Sequence, residues 1–256
     1  MRMGSLAAAA KIGGIILLAQ CGAAIAGEVK VMAGAALSGV IEELGPQFQS
    51  KTGHKLVIQY GLSGTFKKQI EAGEAFDVAI IAPAQMDDLI KQGKIAADTR
   101  TNISRHGIGV AIRAGAPKPD ISSPDAFKSA LLNAKSMAYL PEGATGIHLA
   151  KVLEQLGIAE QMKAKMKPQQ VVERVVQAVA DGEAELGVAP TPALLSVRGV
   201  ELVGLLPPEL QNYVVLAAGV ASGAKEPEAA KVFIKFLTAP EATAVIKAKG
   251  LERATP

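Results

Sequence analysis

Strand-like and helix-like segments alternate along this chain. Apolar residues cluster in short stretches at 29–33 and 55–60, and between them, over 39–52, they recur at helical spacing. Strands that alternate with helices are typical of α/β proteins, in which helices cover a parallel sheet. We therefore predict an α/β fold built on a parallel sheet.

The same alternation continues toward the C-terminus. We predict further strands over 76–81, 107–112, 136–140, 186–189, 200–205 and 213–218. We predict further helices over 86–92, 126–133, 147–156, 171–181, 227–237 and 240–249. Pro227 and Pro240 open the last two helices, since proline loses no hydrogen bond in a first helical turn.

A short motif occurs twice in this pattern. Gly-Glu-Ala at 73–75 and again at 182–184 follows a helical segment and precedes a strand that soon reaches Ala-Pro. The repeat is compatible with coincidence and with two similar α/β lobes. In the second case each lobe places a binding loop at the C-terminal ends of its strands.

The N-terminal residues have the layout of a secretory signal peptide. Arg2 and Lys11 precede an apolar run at 12–19, which is shorter than the roughly 20 residues that span a bilayer. The A-x-A pattern at 24–26 follows it. We predict that residues 1–26 are removed and that the mature protein is periplasmic, with a buried N-terminal helix as the alternative.

Few residues could hold a disulfide, a metal ion or a lipid. The chain has one cysteine, Cys21, and three widely spaced histidines, His54, His106 and His148. One cysteine excludes an internal disulfide and a thiolate zinc site, so we predict no metal and no cofactor. Lipidation of Cys21 is the less favoured alternative, because a small residue normally precedes a lipidated cysteine and Gln20 precedes this one.

Charge and aromatic content argue against nucleic acid as a partner. The chain has 27 Lys and Arg against 24 Asp and Glu, and aromatic residues make up 4%. A dedicated nucleic-acid binder usually shows a dense basic stripe and, for single strands, stacking platforms. We predict no nucleic-acid partner.

Three turns share one design, in which a strand leads through small or hydroxyl residues into a helix. They lie at 34–38, 61–65 and 143–146. Free backbone N–H groups and the positive end of the helix dipole make such turns suitable for anions, although Ser and Thr also cap helices without any ligand. Candidate ligand-binding residues in these turns are Ser38, Ser63, Gly64, Thr145 and Gly146.

Catalytic patterns are weak. The turn at 61–65 is not a nucleophile elbow, because no glycine stands two places after Ser63. No pair of carboxylates with a partner base stands out either. We predict a binding protein and not an enzyme; the alternatives are a secreted hydrolase and a cytosolic effector-sensing domain, the latter disfavoured by the signal peptide.

Several segments resemble the periplasmic molybdate-binding proteins. The similar segments are 31–37, 61–64 with 69–78, 146–151 with 155–157, 182–188 and 229–237. The resemblance covers nearly all of the mature chain, and its most specific part is the segment that ends in Phe76-Asp77-Val78.

This resemblance implies a type 2 periplasmic-binding-protein fold, with two α/β lobes joined by two crossing segments. One lobe would comprise 27–108 with 216–256, and the other 109–215. The implied function is capture of a small anion between the lobes and its delivery to the membrane permease of an ABC importer. A monomer is expected.

The donor set departs from the pattern of that family. Ala36 stands where the family offers a serine, with Ser38 two places on, while Ser63 matches. The tyrosine donor of the family falls near 190–191, which leaves Thr191 as a possible replacement. A molybdate- or tungstate-like oxyanion and a small organic carboxylate therefore both stay open as ligands.

A carboxylate ligand would suit an arginine. The guanidinium fork binds both oxygens of a planar carboxylate at once. Arg105 lies just before the strand that we place at the crossing between lobes. We expect Arg105 to reach the ligand if that ligand is a carboxylate, with a solvated surface arginine as the alternative.

Overall fold

The computed structural model describes residues 27–142 and 144–254. The predicted signal peptide and Cys21 lie outside these residues. The strands are β1 (Glu28–Gly34), β2 (Lys55–Gly61), β3 (Val78–Ile81), β4 (Thr101–His106), β5 (Ile108–Arg113), β6 (Met137–Tyr139), β7 (Met166–Pro168), β8 (Leu186–Pro190), β9 (Val200–Leu205), β10 (Val214–Val220) and β11 (Glu252–Arg253). The helices are α1 (Ser38–Thr52), α2 (Ser63–Glu71), α3 (Pro83–Lys91), α4 (Pro124–Asn133), α5 (Ala144–Gln155), α6 (Ala159–Met162), α7 (Val172–Ala180), α8 (Thr191–Leu194), α9 (Pro227–Thr238) and α10 (Ala242–Ala248).

The strands form two sheets, each the centre of one lobe. The first sheet has the order β11-β4-β10-β3-β1-β2, and the second has the order β7-β6-β8-β5-β9. The chain crosses from the first lobe to the second at Gly107, between β4 and β5, and returns over 206–213, between β9 and β10. The first lobe is the one that contains β1–β4, β10 and β11, and the second lobe is the one that contains β5–β9.

Neither sheet is wholly parallel, so that part of the prediction is wrong. β1 is parallel to β2 and β3, and β6 is parallel to β7 and β8. β10 is antiparallel to β3 and β4, and β5 is antiparallel to β8 and β9. β5 and β10 each enter their sheet directly from the other lobe. They are the antiparallel strands, whereas parallel neighbours within one sheet need a long crossover connection.

The prediction also missed β4 and placed one proline wrongly. Residues 101–106 read Thr-Asn-Ile-Ser-Arg-His, which lacks the apolar alternation of a strand, yet they pair with β10 and β11. Partners more than 100 residues away, not local pattern, make this segment a strand. Pro240 precedes α10 instead of opening it, whereas Pro227 opens α9 as predicted.

The repeated Gly-Glu-Ala motif occupies equivalent places in the two lobes. The first copy links α2 to β3 and the second links α7 to β8, and each strand lies inside its sheet. Gly73 and Gly182 have φ of 93° and 77°, a left-handed conformation that favours glycine. The same helix-turn-strand unit is therefore built once in each lobe.

Helices cover both faces of each sheet. In the first lobe, Phe48 of α1 and Phe233 of α9 are buried on one face, and Phe66 of α2 and Met86 of α3 on the other. The second lobe has one core on the side of α4 and α5 and another on the side of α7. Within the described ranges, no helix has both the length and the apolar composition needed to cross a bilayer.

A buried carboxylate holds three parts of the first lobe together. Asp77 is 3% exposed. Its Oδ2 accepts from the Lys30 N–H at 2.8 Å, and its Oδ1 accepts from the N–H groups of Lys225 at 2.7 Å and Glu226 at 3.1 Å. Asp77 thereby joins β1, the start of β3 and the start of α9.

We predict that Asp77→Ala lowers the free energy of unfolding by about 3 kcal/mol or more, because three backbone N–H groups lose their acceptor. Urea unfolding followed by circular dichroism measures the loss. Asp181→Ala is the control, since that exposed carboxylate accepts from Gln177, and it should change stability by less than about 0.5 kcal/mol. Equal stabilities of the two variants would contradict the role given to Asp77.

Candidate functional site

A cavity of about 660 Å³ lies between the two sheets. Such a volume is typical of small-molecule sites. The first lobe lines it with the turn before α1, the first turns of α1 and α2, and the end of β4. The second lobe contributes the first turns of α5 and α7 and the segment from Val188 to Ser196.

The predicted turns meet at this cavity. Ala36, Ser38, Ser63 and Thr145 all line it. α1 continues a short 3-10 turn, Ala35–Leu37, and no side chain caps the N-terminus of this turn or that of α2. The Ser38 N–H donates to the carbonyl oxygen of Ala35, so the groups available to an anion are the N–H groups at the start of this turn and of α2, with the positive ends of the helix dipoles.

The Ser63 hydroxyl has a defined direction. Leu62, not Ser63, is the N-cap residue of α2. The Oγ of Ser63 accepts a hydrogen bond from the Ala82 N–H at 3.0 Å. Because the oxygen is occupied as an acceptor, its own proton can be donated to a molecule in the cavity.

The two predicted glycines do not line the cavity. Gly64 is exposed in the first turn of α2. Gly146 is buried in α5, and a Cβ there would overlap the carbonyl oxygen of Leu140. The structure thus gives Gly146 a packing role, in which a missing side chain lets α5 approach the end of β6.

Thr191 does not replace the missing tyrosine donor. It is 4% exposed, and its hydroxyl donates to the carbonyl oxygen of Gly250 at 2.7 Å. Its N–H donates to the carbonyl oxygen of Gly107 at 3.1 Å. Thr191 joins the second lobe to the crossing and to the C-terminal segment of the first lobe, so neither donor is available to a ligand.

Arg105 is likewise engaged elsewhere. Its guanidinium forms an ion pair with Glu252, with Nη2 2.7 Å and Nε 2.8 Å from Oε2. The guanidinium carbon lies 4.4 Å from the centroid of the Tyr213 ring. Arg105 does not line the cavity, so the expectation that it reaches a carboxylate there is not met.

His106 is the cleft residue that the sequence analysis left without a role. It ends β4 next to the crossing, lines the cavity and is 7% exposed. Its buried Nδ1 has no hydrogen-bond partner among the described residues. Burial lowers the pKa of His106 to about 4, so the imidazole is neutral at pH 7. A polar residue at the end of a strand next to a lobe crossing is the signal that could have identified it.

Glu42, Glu173 and Lys249 are charged residues that line the cavity. Glu42 of α1 and Glu173 of α7 are exposed, and Lys249 is paired with Glu43 at 3.0 Å. Burial, together with the nearby Glu42 carboxylate, raises the pKa of Tyr60 to about 12. The described residues contain no cluster of His, Cys, Asp or Glu arranged to hold a metal ion.

Strand ends and helix N-termini of two α/β lobes meet at a cavity between the lobes. This arrangement defines the class of two-lobed solute-binding proteins. In this class the lobes close on a ligand by a hinge motion. The sequence model of the family described as bacterial extracellular solute-binding proteins matches residues 29–252. The chain belongs to this family.

Individual relatives are named for different functions, one for an isomerase activity and another for molybdate binding. The chain is 34% identical to an aconitate isomerase of a Pseudomonas species, over 87% of this chain and 86% of the relative. It is 31% identical to a molybdate-binding protein of Azotobacter vinelandii, over 89% and 91% respectively. The substrate-binding domain of a putative molybdenum ABC transporter from Clostridium difficile superposes with a TM-score of 0.77 at 21% identity, covering 90% of this chain and all of that one.

We predict that His106 makes the protein less stable in acid. Its folded pKa of about 4 lies below the usual 6.5, so between these values the unfolded chain binds more protons. The free energy of unfolding should fall by about 2 kcal/mol between pH 7.5 and pH 5 from this group alone.

Urea unfolding of wild type and His106→Phe at both pH values measures this contribution. His106→Phe should lose less stability on acidification by that amount. His148→Gln is the control, because the Nε2 of His148 lies 2.7 Å from the carbonyl oxygen of Leu210, away from the cavity. An identical pH dependence in wild type and His106→Phe would show that His106 is not a buried neutral histidine.

Proposed function

We propose that this protein is the periplasmic solute-binding component of an ABC importer and captures a small anion between its lobes. The observation that supports this most directly is the meeting of the first turns of α1, α2 and α5 at one cavity. Their N–H groups and dipoles favour negative charge, and Ser38, Ser63 and Thr145 add hydroxyl donors.

The remaining parts of the proposal follow from the family and the N-terminal residues. Removal of residues 1–26 would leave a mature periplasmic protein that acts as a monomer without catalysis. The partner is the membrane permease, and the lobes proposed from the sequence are 27–108 with 216–256 and 109–215, with boundaries just inside the first residues of β5 and β10. Relatives named for molybdate and for aconitate leave both an oxyanion and an organic carboxylate as candidate ligands.

A thermal-shift screen tests the class of ligand. A ligand that binds only the folded state stabilises it by about 2.7 kcal/mol at a hundredfold excess over Kd. Molybdate, tungstate, sulfate, phosphate and a panel of di- and tricarboxylates are compared with sugars and amino acids. A shift with sugars or amino acids and with none of the anions would contradict the proposal.

We predict that Ser63→Ala weakens anion binding about tenfold to hundredfold, because a hydrogen bond to a charged group contributes about 1.5–3 kcal/mol. Isothermal titration with whichever panel anion stabilises wild type measures the change. The matched control is Ser123→Ala, since the Ser123 hydroxyl also accepts a backbone N–H, that of Ala126 at 3.2 Å, but lies away from the cavity.

The two serine variants separate binding from folding. Both should lose about 1 kcal/mol of stability with the lost acceptor. Loss of affinity in Ser63→Ala alone supports the proposed contact. Unchanged affinity in Ser63→Ala would show that its hydroxyl only supports the backbone at Ala82.

A second candidate function is isomerisation of an unsaturated carboxylate in the same cavity. The relative named aconitate isomerase and the neutral His106 imidazole favour it. The neutral ring can remove a proton from a carbon next to the double bond, the double bond then shifts, and the protonated ring, whose proton exchanges with solvent, returns a proton to the far carbon. No oxidant, reductant or other reactant is consumed, and the nearby helix N-termini would stabilise the charge that develops.

We predict for this candidate that wild type converts cis-aconitate to trans-aconitate, and that in deuterated water the products gain deuterium. Proton NMR of the incubated mixture measures both. His106→Gln should still bind the tricarboxylate but lose conversion by about a hundredfold or more. Absence of conversion and of exchange by wild type would leave the importer component as the function.

A further inference from the structure

His106 is a buried titratable residue in the wall of the cavity. It ends β4 next to the crossing at Gly107, is 7% exposed and lines the cavity. In the ladder of β4 and β10 it lies opposite Val214, which lines the cavity as well. Residues that lie opposite one another in an antiparallel pair place their side chains on the same face of the sheet. The imidazole therefore belongs to the face that the first lobe presents to the cavity.

The imidazole lacks partners within the part of the protein that the structure describes. Its Nδ1 is fully buried there without a hydrogen bond, and Nε2 forms none with these residues either. Ser104 lies two residues earlier on β4 and hence on the same face. It is 0% exposed, and its Oγ is also buried without a partner among the described residues. Buried polar atoms in native proteins are mostly hydrogen-bonded, so these two atoms on one strand face need an explanation.

The cavity beside the ring collects the positive ends of helices from both lobes. α2 and α7, which precede the two Gly-Glu-Ala turns, both begin without a side-chain cap. The 3-10 turn Ala35–Leu37 before α1 has no cap either. Residues from the first turns of all three line the cavity. Because negative charge is favoured at such helix ends, an anion bound there lies in the same cavity as the imidazole.

No charged side chain fixes the charge of the ring. Arg105 lies on the other face of β4, paired with Glu252 of β11. The charged residues that line the cavity come from α1, α7 and the end of α10, and they are Glu42, Glu173 and Lys249. The two carboxylates are exposed, and Lys249 is paired with Glu43. Burial is the cause that lowers the pKa of His106 to about 4, so the ring is neutral at pH 7 unless a negative charge comes near it.

A bound anion supplies that charge. A negative charge within about 4–6 Å favours the protonated form of a histidine, and a protonated ring has an N–H on each nitrogen. Nε2 can then donate to the anion, while Nδ1 can donate to the Oγ of Ser104. We propose that His106 is a ligand-binding residue that takes up a proton from the solvent when an anion enters the cavity and holds the anion as an imidazolium, with Ser104 as the acceptor for its second N–H; this rests on the proposed anion-binding function.

The proton makes capture depend on pH. Each binding event brings one positive charge from the solvent into the site, so a lower pH favours binding and a higher pH favours release. An imidazolium in the complex cannot begin an isomerisation as a base. The inference therefore belongs to the capture function and not to the second candidate.

Isothermal titration with molybdate, sulfate, oxalate and tricarballylate tests the proton uptake. Each probe is titrated at pH 6 and pH 7.5 in buffers of different ionisation enthalpy, because the difference in heat gives the number of protons taken up. For a probe that binds, we expect His106 to contribute at least about half a proton at pH 6 and binding about threefold or more tighter than at pH 7.5. Binding of none of the probes would overturn the proposed function together with this inference.

His106→Gln isolates the contribution of the ring, because a glutamine amide can donate to the anion but does not titrate. Subtracting its proton uptake from that of wild type also removes any titration of the probe itself. His148→Gln is the matched control and should behave as wild type, since the Nε2 of His148 lies 2.7 Å from the carbonyl oxygen of Leu210, away from the cavity. Equal proton uptake in wild type and His106→Gln would overturn the inference and leave anion capture intact.

Ser104→Ala tests the acceptor behind the ring. The neutral ring does not need this acceptor, so affinity at pH 7.5 should stay within about twofold of wild type. At pH 6 the variant should lose most of the gain in affinity that wild type shows. Melting temperatures without ligand check that the variant is folded. An equal loss of affinity at both pH values would show that Ser104 only supports the strand and does not assist the imidazolium.

Discussion

The hydrogen bonds to the Asp77 carboxylate organise the first lobe and, through it, the cleft. The carboxylate accepts from one N–H of β1 and two N–H groups before α9, so three segments distant in sequence meet at the start of β3. β3 then ends at Ala82, whose N–H donates to the Ser63 hydroxyl in the first turn of α2. An interaction at one end of the strands thus fixes the segment that positions a candidate ligand donor at the other end. The Phe76-Asp77-Val78 segment has a structural role, and its position away from the cavity shows that a specific motif need not contact the ligand.

Local pattern was sufficient for the elements whose apolar spacing is regular and for the turns that precede α1, α2 and α5. Ser38, Ser63 and Thr145 could be placed at one site because helix-opening turns at the C-terminal ends of strands meet at the same edge of a lobe. The sequence could not assign a position to residues whose contacts are made with partners far along the chain. Arg105 pairs with Glu252, 147 positions away, and Thr191 with Gly250, 59 positions away. His106 lies on a strand that is defined by pairing with β10 and β11 and not by its own apolar residues, so only its place next to the crossing indicated a cleft residue.

The sequence also left the ligand class open, because local pattern does not show contacts with distant residues. A sequence shows which hydroxyls are present, but not which are already engaged. Ser63 retains a proton that can be donated, whereas the hydroxyl of Thr191 is used within the protein. Relatives of similar identity are named for molybdate and for aconitate, so identity to relatives does not decide the ligand class either.

The hydrogen bonds of Thr191 also constrain how the lobes can move. They join α8 to the crossing at Gly107 and to Gly250 of the first lobe, so both partners lie at one side of the cleft. A rotation that keeps these bonds must have its axis close to them, and displacement then grows with distance from that axis. Leu62 of the first lobe lines the cavity and is 73% exposed, and Ile147 in the first turn of α5 is 54% exposed. If the bonds of Thr191 persist while the lobes rotate, a small rotation at Thr191 gives a larger displacement at groups far from it.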